Sequence, residues 1–108
     1  MRSPLGKLEE TLNDFDKATA IKPKDARNYF NRALVHGANK DQRRAIADYT
    51  EAIRIMPSLA IAYNNRAYER AVMGDVERAI ADYRQALRLA PSLAPVIGPN
   101  LQRLGAEP

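Results

Sequence analysis

The chain has 108 residues, 45% of them hydrophobic and 28% charged, with a formal net charge of +4 and no cysteine. That length bounds it to one domain at most, and no apolar run approaches the roughly 20 residues that a membrane-crossing helix needs. Disulfides, thiolate nucleophiles and cysteine-based zinc sites are excluded. His36 is the single histidine. Alone it makes neither a metal site nor a catalytic triad, and it is expected to be an ordinary late-helix residue. The N-terminus, MRSPLGKLEETLNDFDK, has no apolar core and turns acidic early, unlike a signal peptide. A cytoplasmic location is the resulting default expectation.

The elements emerge from hydrophobic spacing and punctuation. Ser3 can cap a helix and Pro4 fits its first turn. Leu5, Leu8, Leu12, Phe15 and Thr19 recur at three- and four-residue spacing, up to Ile21 before Pro23. Asp25 or Ala26 opens a second helix carrying Tyr29, Phe30, Ala33 and Leu34. Gly37 weakens its end, and Asn39 and Lys40 lie in the turn. Asp41 caps a third helix with an inner face of Ala45, Ile46, Tyr49, Ala52, Ile53 and Met56, stopped by Pro57. The fourth carries Tyr63, Ala67, Tyr68 and Ala71. It closes at Gly74-Asp75, where Gly takes the left-handed position and Asp caps the next helix. Ala79, Ile80, Tyr83, Ala86, Leu87 and Leu89 line the fifth, which Pro91 ends. In the tail Ile97, Leu101 and Leu104 keep helical spacing, but Pro99 lies too far in for a first turn. A short, broken or late-starting helix is expected there, from about 96 to 104.

Residues 26–59 and 60–93 are identical at 17 of 34 positions. A fixed period of this size means stacked supersecondary units, each burying its face on its neighbour. The second unit, AIAYNNRAYERAVMGDVERAIADYRQALRLAPSL, resembles a tetratricopeptide repeat. The early aromatic is Tyr29 or Tyr63 and the small crossing residue Ala33 or Ala67. The later aromatic step is Ala45/Tyr49 or Ala79/Tyr83, followed by Ala52 or Ala86 and a terminal Pro57 or Pro91. Gly6, Phe15, Ala18 and Pro23 are in phase with a second helix only. The resemblance implies an all-α, right-handed solenoid of antiparallel helix pairs. It would hold about two and a half repeats in one domain: a half repeat over 1–25, repeats over 26–59 and 60–93, and a capping helix and tail over 94–108. Two departures stand out. Arg32 and Arg66 replace a residue that is often Leu, and each has an aspartate, Asp48 or Asp82, on the following helix; interhelical ion pairs are expected. Lys40 stands where the second unit has Gly74, so a looser turn is expected in the first.

Enzyme signatures are missing: there is no phosphate-cradling glycine loop, no His-Glu-x-x-His, and the carboxylates Asp48, Glu51 and Asp82 are spread along repeat positions. No catalysis, cofactor or small-molecule substrate is expected. The resemblance implies protein–protein interaction, with first helices lining a concave groove that takes a peptide or protein segment. Projected onto this chain, the groove residues are Arg27, Phe30, Asn31, Leu34, Ile61, Asn64, Asn65 and Tyr68. Asparagine both donates and accepts, so it can hold a peptide backbone, or it can brace neighbouring helices. A clamp for a C-terminal carboxylate, known in one subfamily, fails here because its basic places hold Ile61, Asn65, Pro95 and Pro99. Two alternatives remain. The edge formed by Leu5, Leu8, Leu12 and Phe15 could self-associate into a homodimer, or reflect a chain cut from a longer array. Less favoured is a polyanion or nucleic acid on the second-helix arginines Arg43, Arg44, Arg54, Arg78, Arg84 and Arg88, which are interrupted by acids and lack stacking aromatics.

Overall fold

The structure is a computed structural model that describes residues 4–107, without the side chains of residues 4 and 5. Ser3, expected as a cap, and the Leu5 side chain therefore lie outside the described residues. Among those described, the helices are α1 (Pro4–Ile21), α2 (Ala26–Ala38), α3 (Gln42–Ile55), α4 (Ala60–Val72), α5 (Val76–Leu89) and α6 (Ala94–Arg103). A short 3-10 turn, Pro91–Leu93, precedes α6. Each helix packs on the next in antiparallel pairs, most closely α2 on α3 and α4 on α5. The stack measures 45 × 29 × 21 Å with a radius of gyration of 14.6 Å. A globule of this length would reach about 13 Å, so the molecule is an elongated slab.

Small residues set the closeness of the pairs. Ala33, Ala45, Ala52, Ala62, Ala67, Ala79 and Ala86 are fully buried, and larger side chains there would force the helices apart. The core forms two clusters. Tyr49 and Ile53 pack among Ala33, Ala45 and Ala62, with Phe30 edge-on to Tyr49 at 5.6 Å. Tyr83, Ile97 and Leu101 pack around Ala67 and Ala86. Tyr63 contributes to both. Met56 and Leu89, expected on inner faces, are instead exposed at the helix ends.

The looser turn expected at Lys40 is not found. Lys40 N–H donates to Gly37 O at 3.0 Å and Asp41 N–H to His36 O at 2.8 Å. The turn after α4 repeats this pattern: Gly74 N–H to Ala71 O at 3.0 Å and Asp75 N–H to Arg70 O at 2.9 Å. Both are Schellman closures. Lys40 adopts φ 62° where Gly74 adopts φ 85°. The lysine therefore accepts a left-handed backbone, at about 1–2 kcal/mol, because the hydrogen bonds and the packing of the flanking helices hold the turn shut. Asp25 caps α2 through the Arg27 N–H, and Asp41 caps α3 through the Arg44 N–H. Asp75 occupies the equivalent position before α5 without a side-chain cap bond. It approaches Arg78 at 3.6 Å instead.

The terminal helix also differs from expectation. It starts at Ala94 and runs unbroken through Pro99. Pro95 sits in the first turn, where a missing N–H costs nothing. Pro99 follows Gly98, which has no Cβ to clash with the proline ring. Ile97 and Leu101, both at 0% exposure, anchor the two sides of the proline.

The expected ion pairs form and reach further than two helices. Arg32 donates from Nε and Nη2 to both Asp48 oxygens at 2.8 Å, and from Nη1 to Asp16 at 2.9 Å and Thr19 at 3.1 Å. It thus joins α1, α2 and α3. Arg66 makes the same paired 2.8 Å bonds to Asp82 and reaches Thr50 at 3.1 Å, joining α3, α4 and α5. The guanidiniums lie 5.6 and 5.4 Å from the ring centres of Tyr29 and Tyr63, within cation–π range. The hydrogen bond to Asp48 is the largest cause holding Arg32 well above its ordinary pKa. His36 lies in the last turn of α2, as expected, but it is buried there, with Nε2 at 3.7 Å from Asp48 Oδ2. In the next unit Arg70 takes that place, at 2.7 Å from Asp82.

Candidate functional site: a concave groove on alternate helices

Because the helices pair antiparallel, α2, α4 and α6 share one side of the slab. A concave hollow of about 440 Å³ lies there. Its walls are Leu34, Gly37 and Ala38 of α2, Asn64, Asn65, Tyr68 and Glu69 of α4, and Asn100 of α6. Tyr49 and Tyr83 reach it from α3 and α5. Four of the expected groove residues, Leu34, Asn64, Asn65 and Tyr68, are therefore brought together. Leu34 and Tyr68 are exposed at 44% and 58%, and because both line the same hollow their apolar surface is available together to a partner.

The other four expected residues do not line this hollow. Phe30 packs into the core against Tyr49. Asn31 and Ile61 are exposed outside it. Arg27 lies at a separate open depression of about 750 Å³ between the α1–α2 loop and Met56 at the end of α3, and pairs with Asp25 at 3.4 Å. The helical-face projection put these residues on α2 and α4, both of which border the hollow, but away from the turns that line it.

The most informative residue of the hollow, Glu69, is one that sequence reasoning passed over. It is 6% exposed, and its Oε2 has no hydrogen-bond partner. Burial pushes its pKa above the usual carboxylate range. A Cβ built on Gly37 would stand 3.4 Å from its Cδ and both its carboxylate oxygens, so α2 closes over the carboxylate at van der Waals contact. The available signal was Gly37, a glycine in the last turn of α2, since a helical glycine can mark a close approach. Asn64 Oδ1 is likewise buried without a partner, while its Nδ2 donates to Asn65 Oδ1 at 3.1 Å. The Tyr49 hydroxyl, buried near Asn65 and Glu69, is pushed up to about 12 chiefly by burial and stays neutral at physiological pH.

Elsewhere the surface is less organised for a ligand. Arg44, Arg54 and Arg78 form ion pairs with Asp41, Glu51 and Asp75, and Arg88 donates to Gln85, each partner three residues away on the same helix face or cap. Leu8, Leu12 and Phe15 of the N-terminal edge are half-buried. Leu8 faces Leu34, Val35 and Ala38, while Leu12 shares a hollow with Arg32 and His36. Among the described residues, no helix is long and apolar enough to cross a membrane.

Antiparallel helix pairs repeating every 34 residues, with a concave face on alternate helices, define a helical-repeat interaction fold. Family models described as tetratricopeptide repeat match residues 26–58 and 60–93. The chain belongs to the tetratricopeptide repeat family. Similar solved structures include the first such repeat domain of Spaghetti (RPAP3) bound to the HSP90 peptide SRMEEVD. It is 25% identical, with a TM-score of 0.86 over 94% of this chain and 79% of that one. The OM64 domain from Arabidopsis is 27% identical, with a TM-score of 0.82 over 91% and 83%. The Yersinia enterocolitica secretion chaperone SycD, in complex with a peptide of the translocator YopD, shares the fold at 16% identity. Its TM-score is 0.86 over 93% and 81%. A search of curated protein sequences finds no match.

Proposed function

We propose that the protein is a non-catalytic interaction module whose concave face, formed by α2, α4 and α6, binds an extended peptide or protein segment. The observation that carries this reading is the hollow in which Leu34, Asn64, Asn65 and Tyr68 converge. Exposed apolar side chains supply contact area, and the asparagines supply backbone-directed hydrogen bonding. The peptide complexes of the similar RPAP3 and SycD domains support it. The acidic SRMEEVD segment of the RPAP3 complex is not the proposed ligand, since among the described residues no Lys or Arg lines the hollow here. Self-association through α1 has less support, because Leu8, Leu12 and Phe15 are already half-covered.

The test is selection of binders from a random dodecapeptide phage library, followed by anisotropy titration of the selected peptides. The double variant Tyr68→Ala, Asn65→Ala should weaken binding about tenfold or more with unchanged far-UV circular dichroism. Undiminished binding by the folded variant would move the site off the concave face.

A further inference from the structure

Two acceptor atoms of the hollow stand without a hydrogen-bond partner. Glu69 Oε2 and Asn64 Oδ1 are both buried and both without a partner. Buried polar groups are nearly always satisfied in folded proteins, and a carboxylate without a counter-ion is the costlier exception. Two such atoms in one hollow mark a place where something else completes the set. Among the described residues, Glu69 is also the only charged one lining it.

The chain's own cations do not serve. Arg66 and Arg70, on the same helix as Glu69, are both engaged by Asp82 at 2.7–2.8 Å. Arg103 of α6 donates to Asn100 Oδ1 at 3.2 Å. Among the described residues, none forms an ion pair with Glu69, in a chain of net charge +4. The negative floor is a local exception to a basic molecule. Around it stand Tyr49, Tyr68 and Tyr83. Aromatic faces attract cations and repel anions.

We propose that this hollow receives a cationic side chain of the bound segment, foremost an arginine guanidinium, with the Glu69 carboxylate as its counter-ion and Asn64 Oδ1 as a second acceptor. Arginine's planar fork donates to two acceptors at once and stacks on an aromatic ring, and Tyr68 at the rim offers such a ring. The inference rests on the groove reading above, and it assigns that groove a preference for a segment bearing a positive residue.

The test is an array of blocked dodecapeptides, random except for a central residue fixed as Arg, Lys, citrulline, Leu or Glu. Wild type should retain the Arg set about tenfold better than the citrulline set, which keeps the shape and loses the charge, and should reject the Glu set. Lys peptides at the Arg level would assign the site to positive charge, and weaker Lys binding to the fork. Glu69→Gln should bring Arg and citrulline within about twofold while binding persists; Glu69→Asp should restore part of the preference. If peptides bind in a manner sensitive to Tyr68→Ala but show no preference for charge, this inference is overturned and the groove reading stands. If no set binds, or binding ignores Tyr68→Ala, both are overturned.

Discussion

The α2–α3 and α4–α5 pairs place different residues in the same three-dimensional slots, and the differences show which features the fold enforces. Both pairs hold a buried aspartate with an arginine from the preceding helix. In the second, Asp82 has a second permanent cation, Arg70; in the first, Asp48 has His36, which carries charge only when protonated. Both close with the same hydrogen bonds, yet one uses Gly74 and the other Lys40. The architecture thus tolerates a strained lysine at a turn but preserves the arginine bridge that ties three successive helices.

The largest way to break this comparison is to remove the bridging arginines. Arg32→Ala leaves Asp48 with only His36, and should cost about 3 kcal/mol or more, since removal of one partner strands a buried charge. Arg66→Ala leaves Arg70 on Asp82 and should cost about half as much. Urea midpoints measure both, and equal losses would show that Arg70 adds nothing that His36 lacks. Next in size is Ala67→Leu at the α4–α5 crossing, expected to destabilise by about 1–3 kcal/mol. Arg84→Ala on the exposed face of α5 should change stability by roughly half a kcal/mol or less. Similar midpoints for the two would sink the account of helix spacing.

The turns sharpen the comparison further. Lys40→Gly should stabilise by about 0.5–1 kcal/mol, the left-handed penalty less glycine's entropy in the unfolded chain. Gly74→Lys should lose a similar amount, and only for conformational reasons, because nothing lies within 4 Å of a Cβ built there. The smallest effect concerns Glu69, where the first pair has Val35. Its folded pKa is raised above 4.5. Below the unfolded value both states are protonated and the full native stability is present; as pH rises toward the folded value the unfolded state ionises first, and stability falls. Glu69→Gln should therefore raise the melting temperature at pH 7 and leave it unchanged at pH 3.5. A neutral-pH loss on substitution would show that Glu69 supports the fold rather than the groove.

Much of the fold was legible because repetition doubled each signal. The tyrosines, crossing alanines and terminal prolines recur in register, and the recurrence of Arg32 with Asp48 and Arg66 with Asp82 pointed to the bridges. The features that stayed hidden depend on tertiary contacts. Local preference argues against Lys40 at a left-handed position and Pro99 inside a helix; hydrogen bonding and packing override it in both cases. In the hollow, Tyr68 was legible by projecting what the family resemblance implies onto the first helices. Glu69 was harder to read, because a charged residue reads as solvated and the one hint, Gly37, names no partner until α2 and α4 are seen packed together.

The claim that the concave face is the binding surface is tested most directly by NMR, tracking ¹⁵N-labelled protein during titration with a selected dodecapeptide. The side-chain amide signals of Asn64, Asn65 and Asn100 and the backbone signals around Tyr68 should shift together, while those of Arg43 and Arg84 stay still. Shifts confined to α3 and α5, around Arg43, Arg54 and Arg84, would contradict the account and place the ligand on the opposite face.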